Sequence, residues 1–131
     1  MPLSSRVKLE DLFAALADRT RLRLLNLMRD GEVCVCFFAE TLGTNNPKIS
    51  RHLSYLKRAG LVTGRRDGKW IHYSLQKPKD RQAAELFDSL VTTLETDEEM
   101  KADLANLVNV CCVPRKQFVN ILPPKQTKNT E

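Results

Sequence analysis

The chain has 131 residues, 42% of them hydrophobic, which is enough for one domain with its own core. Aromatic residues make up only 6%, so aliphatic side chains must fill most of that core. No apolar run is long enough to span a bilayer, and the first residues lack the apolar segment of a secretory signal. We therefore expect a cytoplasmic protein with no membrane partner.

The positive charge is concentrated in the middle of the chain. The formal net charge is +5, yet residues 47–74 carry seven basic residues against one acidic, and residues 80–103 carry eight acidic against two basic. A solvated charged face would not separate the two signs in this way. A focused basic region is typical of a surface that binds nucleic acid.

Apolar spacing predicts two helices in the first thirty residues. An apolar side chain recurs every three or four positions over residues 8–17, which indicates the first helix. Asp18 is suited to cap a second helix, and Asp30-Gly31 ends it. A short segment follows over residues 34–42 and is interrupted by Gly43.

The next helix is predicted to read DNA. Asn46 is expected as its N-cap and Pro47 as its first residue, and apolar side chains at i, i+4 and i+7 would face the core. With the segment before it and a tight turn, it forms a helix-turn-helix. Its polar side chains suit a major groove. The expected DNA contacts on this helix are Lys48, Ser50, Arg51, His52, Tyr55 and Arg58.

A β-hairpin is predicted directly after this helix. Residues 61–66 and 69–75 are β-prone, and Asp67-Gly68 is a strong signal for a two-residue turn. Arg65, Arg66 and Lys69 gather at its tip, where they would meet phosphates. An ordinary solvated hairpin is the alternative, but the position after a recognition helix favours a DNA-binding wing.

Two further helices are predicted before a polar tail. The apolar stripe over residues 80–94 is broader than an outermost helix needs, which indicates a dimer interface, with core packing as the alternative. Residues 97–110 predict an acidic helix, and the tail from Pro114 is expected to be mobile. The side chains of the acidic helix that are expected to face inward are Met100, Leu104, Leu107 and Val108.

These elements predict a fold that is mainly α with a small β-hairpin, a winged helix-turn-helix, in a dimeric protein. We expect residues 1–96 to form the winged-helix DNA-binding and dimerisation domain. Residues 97–113 would be a C-terminal helical extension that carries a Cys pair, and residues 114–131 the mobile tail.

Four stretches of the chain closely resemble the ArsR/SmtB family of metal-sensing repressors. They are FAALADRTRLR at residues 13–23, PKISRHL at residues 47–53, LKRAGLV at residues 56–62 and RRDGKWIHY at residues 65–73. The resemblance covers about residues 9–94. It implies a homodimer with the first and last helices at its interface.

Within that family, EVCVC at residues 32–36 is similar to the inducer-binding motif of the arsenic repressors. The similarity implies an arsenic-resistance operon whose repression is relieved when arsenite or antimonite binds thiolates. We expect no permanently bound cofactor. Clustered thiols in a reducing compartment indicate metal, metalloid or redox chemistry, and soft thiolates suit trivalent arsenic. The candidate thiolates are Cys34, Cys36, Cys111 and Cys112.

The spacing of the first pair constrains the backbone. Two residues correspond to about 200° on an ideal helix, so Cys34 and Cys36 can bind one ion only if the backbone is not helical there. If the segment is helical on DNA, the inducer must distort it and displace the recognition helix. The ligand would then favour one of two conformations, as a switch requires.

The chain departs from the arsenic-repressor pattern at Ala39, which stands where a third Cys is expected. Cys111 or Cys112 can supply the third ligand, from the same or the partner subunit, or can be the main site as a pair. Alternatively, two thiolates bind methylarsenite, whose third bond is to carbon. For each Cys pair, a small buried hydrophobe without a ligand is the simpler alternative.

Three other functions, namely zinc sensing, redox sensing and thiol-enzyme activity, are less favoured by the residues. Zinc-sensing relatives bind zinc through His and carboxylate side chains on the last helix. In this chain His52 and His72 both lie in the DNA-binding unit instead, and His72, in the middle of the hairpin, is expected to have a structural role. Thiol oxidation is the alternative trigger. A thiol enzyme is not expected, because the chain has neither a Cys-x-x-Cys motif nor a Gly-rich phosphate loop.

Overall fold

A computed structural model of the protein describes residues 8–111. Six helices and three strands follow one another in that range, with a short 3₁₀ turn, Val35–Phe37, before the third helix. The predicted tail and Cys112 lie outside the described residues. The elements are α1 (Leu9–Leu16), α2 (Arg19–Leu27), β1 (Val33–Cys34), α3 (Phe38–Leu42), α4 (Asn46–Arg58), β2 (Val62–Asp67), β3 (Trp70–Leu75), α5 (Arg81–Leu94) and α6 (Glu98–Cys111).

The starts of α2 and α4 are fixed by side-chain caps. The carboxylate of Asp18 accepts the N–H of Arg21 at 3.1 Å, which confirms the predicted cap of α2. In α4 the cap is Asn45, whose Oδ1 accepts the N–H of Lys48 at 2.9 Å. The prediction of Asn46 was wrong by one residue. Pro47 therefore occupies the second helical position, where its missing N–H is equally harmless.

The hairpin belongs to a three-stranded antiparallel sheet with the order β1–β3–β2. Val33 pairs with Tyr73, a contact between residues far apart in sequence that the local pattern did not predict. Asp67 pairs with Trp70, so the two-residue turn is Gly68-Lys69, one residue later than predicted. Gly68 has a φ of 64°, the left-handed conformation that the first residue of such a turn needs.

One core joins the helices to the sheet. The apolar stripe of α4 is buried as predicted, and α3 contributes Phe38, with none of its surface exposed. The largest fully buried side chains are Phe38, Phe87, Leu12, Leu24, Leu25, Leu27, Met28, Ile49, Leu53, Leu56, Leu61 and Met100.

Polar contacts fix α6 against α2. Arg23 binds Asp103 with two hydrogen bonds of 2.8 and 2.9 Å, and the carboxylate is buried. Asn26, also buried, donates to the carbonyl oxygen of Met100 at 2.9 Å. Val108 is 55% exposed, so its predicted inward orientation was wrong. Met100 and Leu107 are buried and Leu104 is partly buried against the core, as predicted, and the bonds to α2 set the rotation that leaves Val108 outside.

Apolar side chains on α1 and α5 face solvent in the single chain. Leu9 and Phe13 lie one turn apart on α1, each 54% exposed, and Leu86 on α5 is 46% exposed. Within residues 8–111, no helix is both long and apolar enough to pass through a membrane.

Candidate nucleic-acid interface and thiol pair

Four of the predicted DNA contacts on α4 are exposed. Lys48, Ser50, Arg51 and Arg58 face solvent, on the sides of the helix away from its buried stripe. Three of the four, Lys48, Arg51 and Arg58, are cations that solvent can reach. Such a helix can place side chains on base edges and phosphates at the same time.

His52 and Tyr55 are half-buried against Arg21 of α2. The Arg21 guanidinium lies 4.1 Å from the centre of the Tyr55 ring, and its Nη1 is 3.4 Å from Nδ1 of His52. Arg21 also donates to the carbonyl oxygens of Ala14 and Ala15 at the end of α1. The structure thus places these two predicted DNA contacts partly inside the molecule, where they orient α4.

The three basic residues of the wing differ in their surroundings. Arg66, near the end of β2, and Lys69, in the turn, are exposed. Arg65 forms two hydrogen bonds with the Glu32 carboxylate, Nη2 to Oε1 at 2.7 Å and Nε to Oε2 at 3.0 Å. These bonds hold the pKa of the Glu32 carboxyl below its ordinary value. Sequence reasoning missed this pair, whose only signal was the opposite charge of two residues 33 positions apart.

The sulfurs of Cys34 and Cys36 are in contact. The Cys36 thiol donates to the Cys34 sulfur, and the two Sγ atoms are 3.0 Å apart. A disulfide would be about 2.05 Å long, so this is a contact between thiols. Cys34 is buried at 3% exposure, and Cys36 is half-buried.

The backbone explains why the sulfurs converge. Cys34 ends strand β1 with φ −69° and ψ 138°, whereas Cys36 lies in the 3₁₀ turn that follows. The predicted need for a non-helical backbone at these two residues is met. No helix has to unwind to bring these two sulfurs together, so the expected distortion of the segment is not required for the pair itself.

No third ligand lies close to the pair among the side chains that the structure describes, which include neither Cys111 nor Cys112. There, no three side chains among His, Cys, Asp and Glu are grouped so as to hold a metal ion. Ala39 is half-buried on α3 and offers no donor. Helix α6, however, packs on α3, approaches the 3₁₀ turn that carries Cys36, and has Cys111 as its last residue.

Comparison with known proteins gives consistent matches. The model of the arsR family of bacterial regulatory proteins matches residues 18–63. The arsenical resistance operon repressor of Escherichia coli (strain K12) is 39% identical over 102 residues, covering 77% of this chain and 86% of that protein. The arsenic resistance transcriptional regulator ArsR2 of Pseudomonas putida is 38% identical over 96 residues, covering 72% and 81%.

Solved structures share the fold. A homodimeric winged helix-turn-helix DNA-binding domain from Mycobacterium bovis, described as a possible ArsR-family regulator, has a TM-score of 0.55 at 30% identity, covering 76% of this chain and 84% of that one. Reduced HlyU from Vibrio cholerae also has a TM-score of 0.55, at 26% identity, covering 64% and 85%. The winged-helix prediction is thereby confirmed.

Proposed function

The chain belongs to the ArsR family of bacterial regulatory proteins, and from this membership we propose that it represses an arsenic-resistance operon as a DNA-bound homodimer. In this proposal, trivalent arsenic or antimony binds the thiolates of Cys34 and Cys36 and releases the protein from its operator. The protein acts as a regulator rather than an enzyme, in the cytoplasm, where thiols stay reduced.

The contact between the two sulfurs is the observation that carries the inducer assignment. An ion binds two ligands most tightly when they are already close together, because binding then costs little conformational entropy of the chain. Cys34 and Cys36 meet that condition at 3.0 Å. Their position between α2 and the recognition helix α4 links any movement on ligation to the DNA-binding surface.

Exposed apolar side chains on α1, together with Leu86 on α5, support the dimer, whereas Ala83, Phe87 and Leu94 of the predicted α5 interface are buried within the single chain. Leu9, Phe13 and Leu86 expose large apolar surfaces that a monomer gains nothing by leaving in water. The two-fold axis of such a dimer presents two α4 helices and two wings to the halves of a palindromic operator.

Cys111 and Cys112 are our candidates for completing the arsenite site. The approach of α6 to the 3₁₀ turn favours a third thiolate from the same chain. If only two thiolates bind, methylarsenite fits better than arsenite, because its third bond is already to carbon. Ala39, which offers no donor where a third Cys is expected, is what favours this second inducer.

The proposal is tested by a gel-shift titration of the purified protein with its own promoter fragment. In the presence of reductant, arsenite is expected to release the DNA, and methylarsenite and antimonite are compared in the same assay. Release by peroxide together with no release by arsenite would contradict the proposed inducer and favour thiol oxidation. Retention of DNA with all of these agents would contradict both triggers.

Replacing an exposed cation on the wing and replacing one on α4 should affect DNA binding differently. Arg66→Ala is expected to weaken binding similarly for all sequences and to reduce the slope of log affinity against log salt by about one. Arg51→Ala is expected to cost about 1–3 kcal/mol on the operator and less on unrelated DNA. Fluorescence anisotropy at several salt concentrations measures both. If Arg51→Ala lost the same affinity for operator and for unrelated DNA, Arg51 would not contact base edges.

A further inference from the structure

We propose that Glu32 and Arg65 form the link between the thiol pair and the wing, and that Glu32 competes with a DNA phosphate for the Arg65 guanidinium. The inference rests on the proposed function, because it assigns the route by which inducer binding at Cys34 and Cys36 weakens DNA binding. Glu32 is thus a positioning residue and not an inducer ligand.

The sheet places the two sites in one row. Cys34 on β1 pairs with His72 on β3, and His72 pairs in turn with Arg65 on β2. Residues that pair directly across antiparallel strands have their side chains on the same face. Glu32 precedes Cys34 by two residues, and its carboxylate reaches across to Arg65 at 2.7 and 3.0 Å. One ion pair therefore connects the strand that carries the thiol to the strand that forms the wing.

Glu32 and a phosphate compete for one edge of the Arg65 guanidinium, and a phosphate facing the ion pair is left with the Nη1 side alone. Glu32 occupies Nε and Nη2 of Arg65, the edge of the fork that also binds phosphate with two parallel hydrogen bonds. Arg65 cannot present that edge to both anions at once. Ligation of Cys34 and Cys36 would hold β1 and the 3₁₀ turn in the present arrangement, keep Glu32 on Arg65, and so withdraw one cation from the DNA.

The pair is better suited to coupling than to stability. The side chain of Arg65 is 57% exposed and that of Glu32 35%, and an exposed ion pair of this kind contributes little to folding. A Glu32→Gln variant is therefore expected to fold normally. A stabilising role would not explain why the partner of Arg65 stands next to the thiol segment.

The test compares Glu32→Gln, Arg65→Ala and the wild type in operator titrations with and without saturating arsenite. The wild type should lose operator affinity by a factor typical of allosteric coupling, about 5–150-fold. Glu32→Gln should bind the operator as tightly as the wild type or more tightly, and arsenite should lower its affinity by a factor at least about threefold smaller. Arg65→Ala should bind more weakly in the absence of arsenite and also respond less.

Arg66→Ala is the matched control, because Arg66 lies on the same wing but does not bind Glu32. Within residues 8–111, its guanidinium donates one hydrogen bond, to the carbonyl oxygen of Gly68 at 3.5 Å. This variant should lose operator affinity while arsenite still lowers that affinity by the wild-type factor. Calorimetry should show that arsenite binds free Glu32→Gln within about twofold of the wild type, because both thiols are intact.

The outcomes separate the two proposals. A wild type that arsenite does not release overturns the proposed function and this inference with it. If arsenite releases the wild type and lowers the operator affinity of Glu32→Gln by the same factor, only the proposed link is overturned. The link would also be overturned if Arg66→Ala reduced the effect of arsenite on operator affinity as much as Glu32→Gln does. The loss of any wing cation would then explain the reduced response.

Discussion

Replacing Cys34 and Cys36 together with serine should abolish release by arsenite while leaving operator binding within about threefold of the wild type. The hydroxyl is a hard donor with little affinity for trivalent arsenic, whereas the two thiols already lie in contact. We expect the arsenite concentration for half release to rise at least about 100-fold, which corresponds to roughly 2.7 kcal/mol of lost binding. Gel-shift titration in reductant measures it.

A matched variant, Cys111→Ser with Cys112→Ser, distinguishes the two thiol pairs. If α6 supplies the third ligand, this variant should lose response to arsenite and retain response to methylarsenite. If arsenite released the Cys34→Ser, Cys36→Ser variant from DNA as readily as it releases the wild type, the first pair would not be the inducer site. Because Cys34 is buried, circular dichroism must confirm that each serine variant is folded.

The largest loss of stability is expected from Phe38→Ala. Phe38 is the first residue of α3, directly after the 3₁₀ turn, and none of its surface is exposed. Truncating a buried Phe removes its transfer free energy and leaves a cavity, about 3–5 kcal/mol in typical cores. A domain of this size is stable by about 5–15 kcal/mol in total, so the variant should unfold at far lower urea concentration.

Phe38→Leu is the control for that result, because it keeps most of the buried apolar volume. It should lose less than half as much free energy of unfolding as the alanine variant. A loss below about 1 kcal/mol for Phe38→Ala would mean that the segment around Cys36 is not anchored in the core. Equal losses for both variants would point to strain rather than to a cavity.

Local patterns were sufficient for most of the fold. Helical periodicity found the helices, and the polar side chain of Asp18 marked the start of α2 correctly. The same reasoning chose Asn46 over Asn45, since two adjacent Asn residues can each cap a helix and only the backbone conformation decides between them. Strand β1 was missed because its pairing with β3 joins residues about forty positions apart, and no local pattern reports such a contact.

The candidate site was predicted in its residue types but not in its geometry. The need for a non-helical backbone at Cys34 followed from spacing alone, and the structure has one. The partial burial of His52 and Tyr55, and the capture of Arg65 by Glu32, did not follow, because each depends on a partner from a distant element. Charge counts predict a basic surface but not which of its cations are already engaged.

The position of Arg21 has a consequence for the operator itself. Its guanidinium joins the end of α1 to Tyr55 on α4, so the helix that exposes Leu9 and Phe13 is tied to the helix proposed to enter the groove. In a dimer joined through α1, the two recognition helices are then held at one separation and one relative rotation. One extra base pair between the half-sites turns them by about 35° relative to each other, so in the proposed dimer it would oppose the connection through Arg21. The spacing of the palindrome, as much as its bases, becomes part of what the protein recognises.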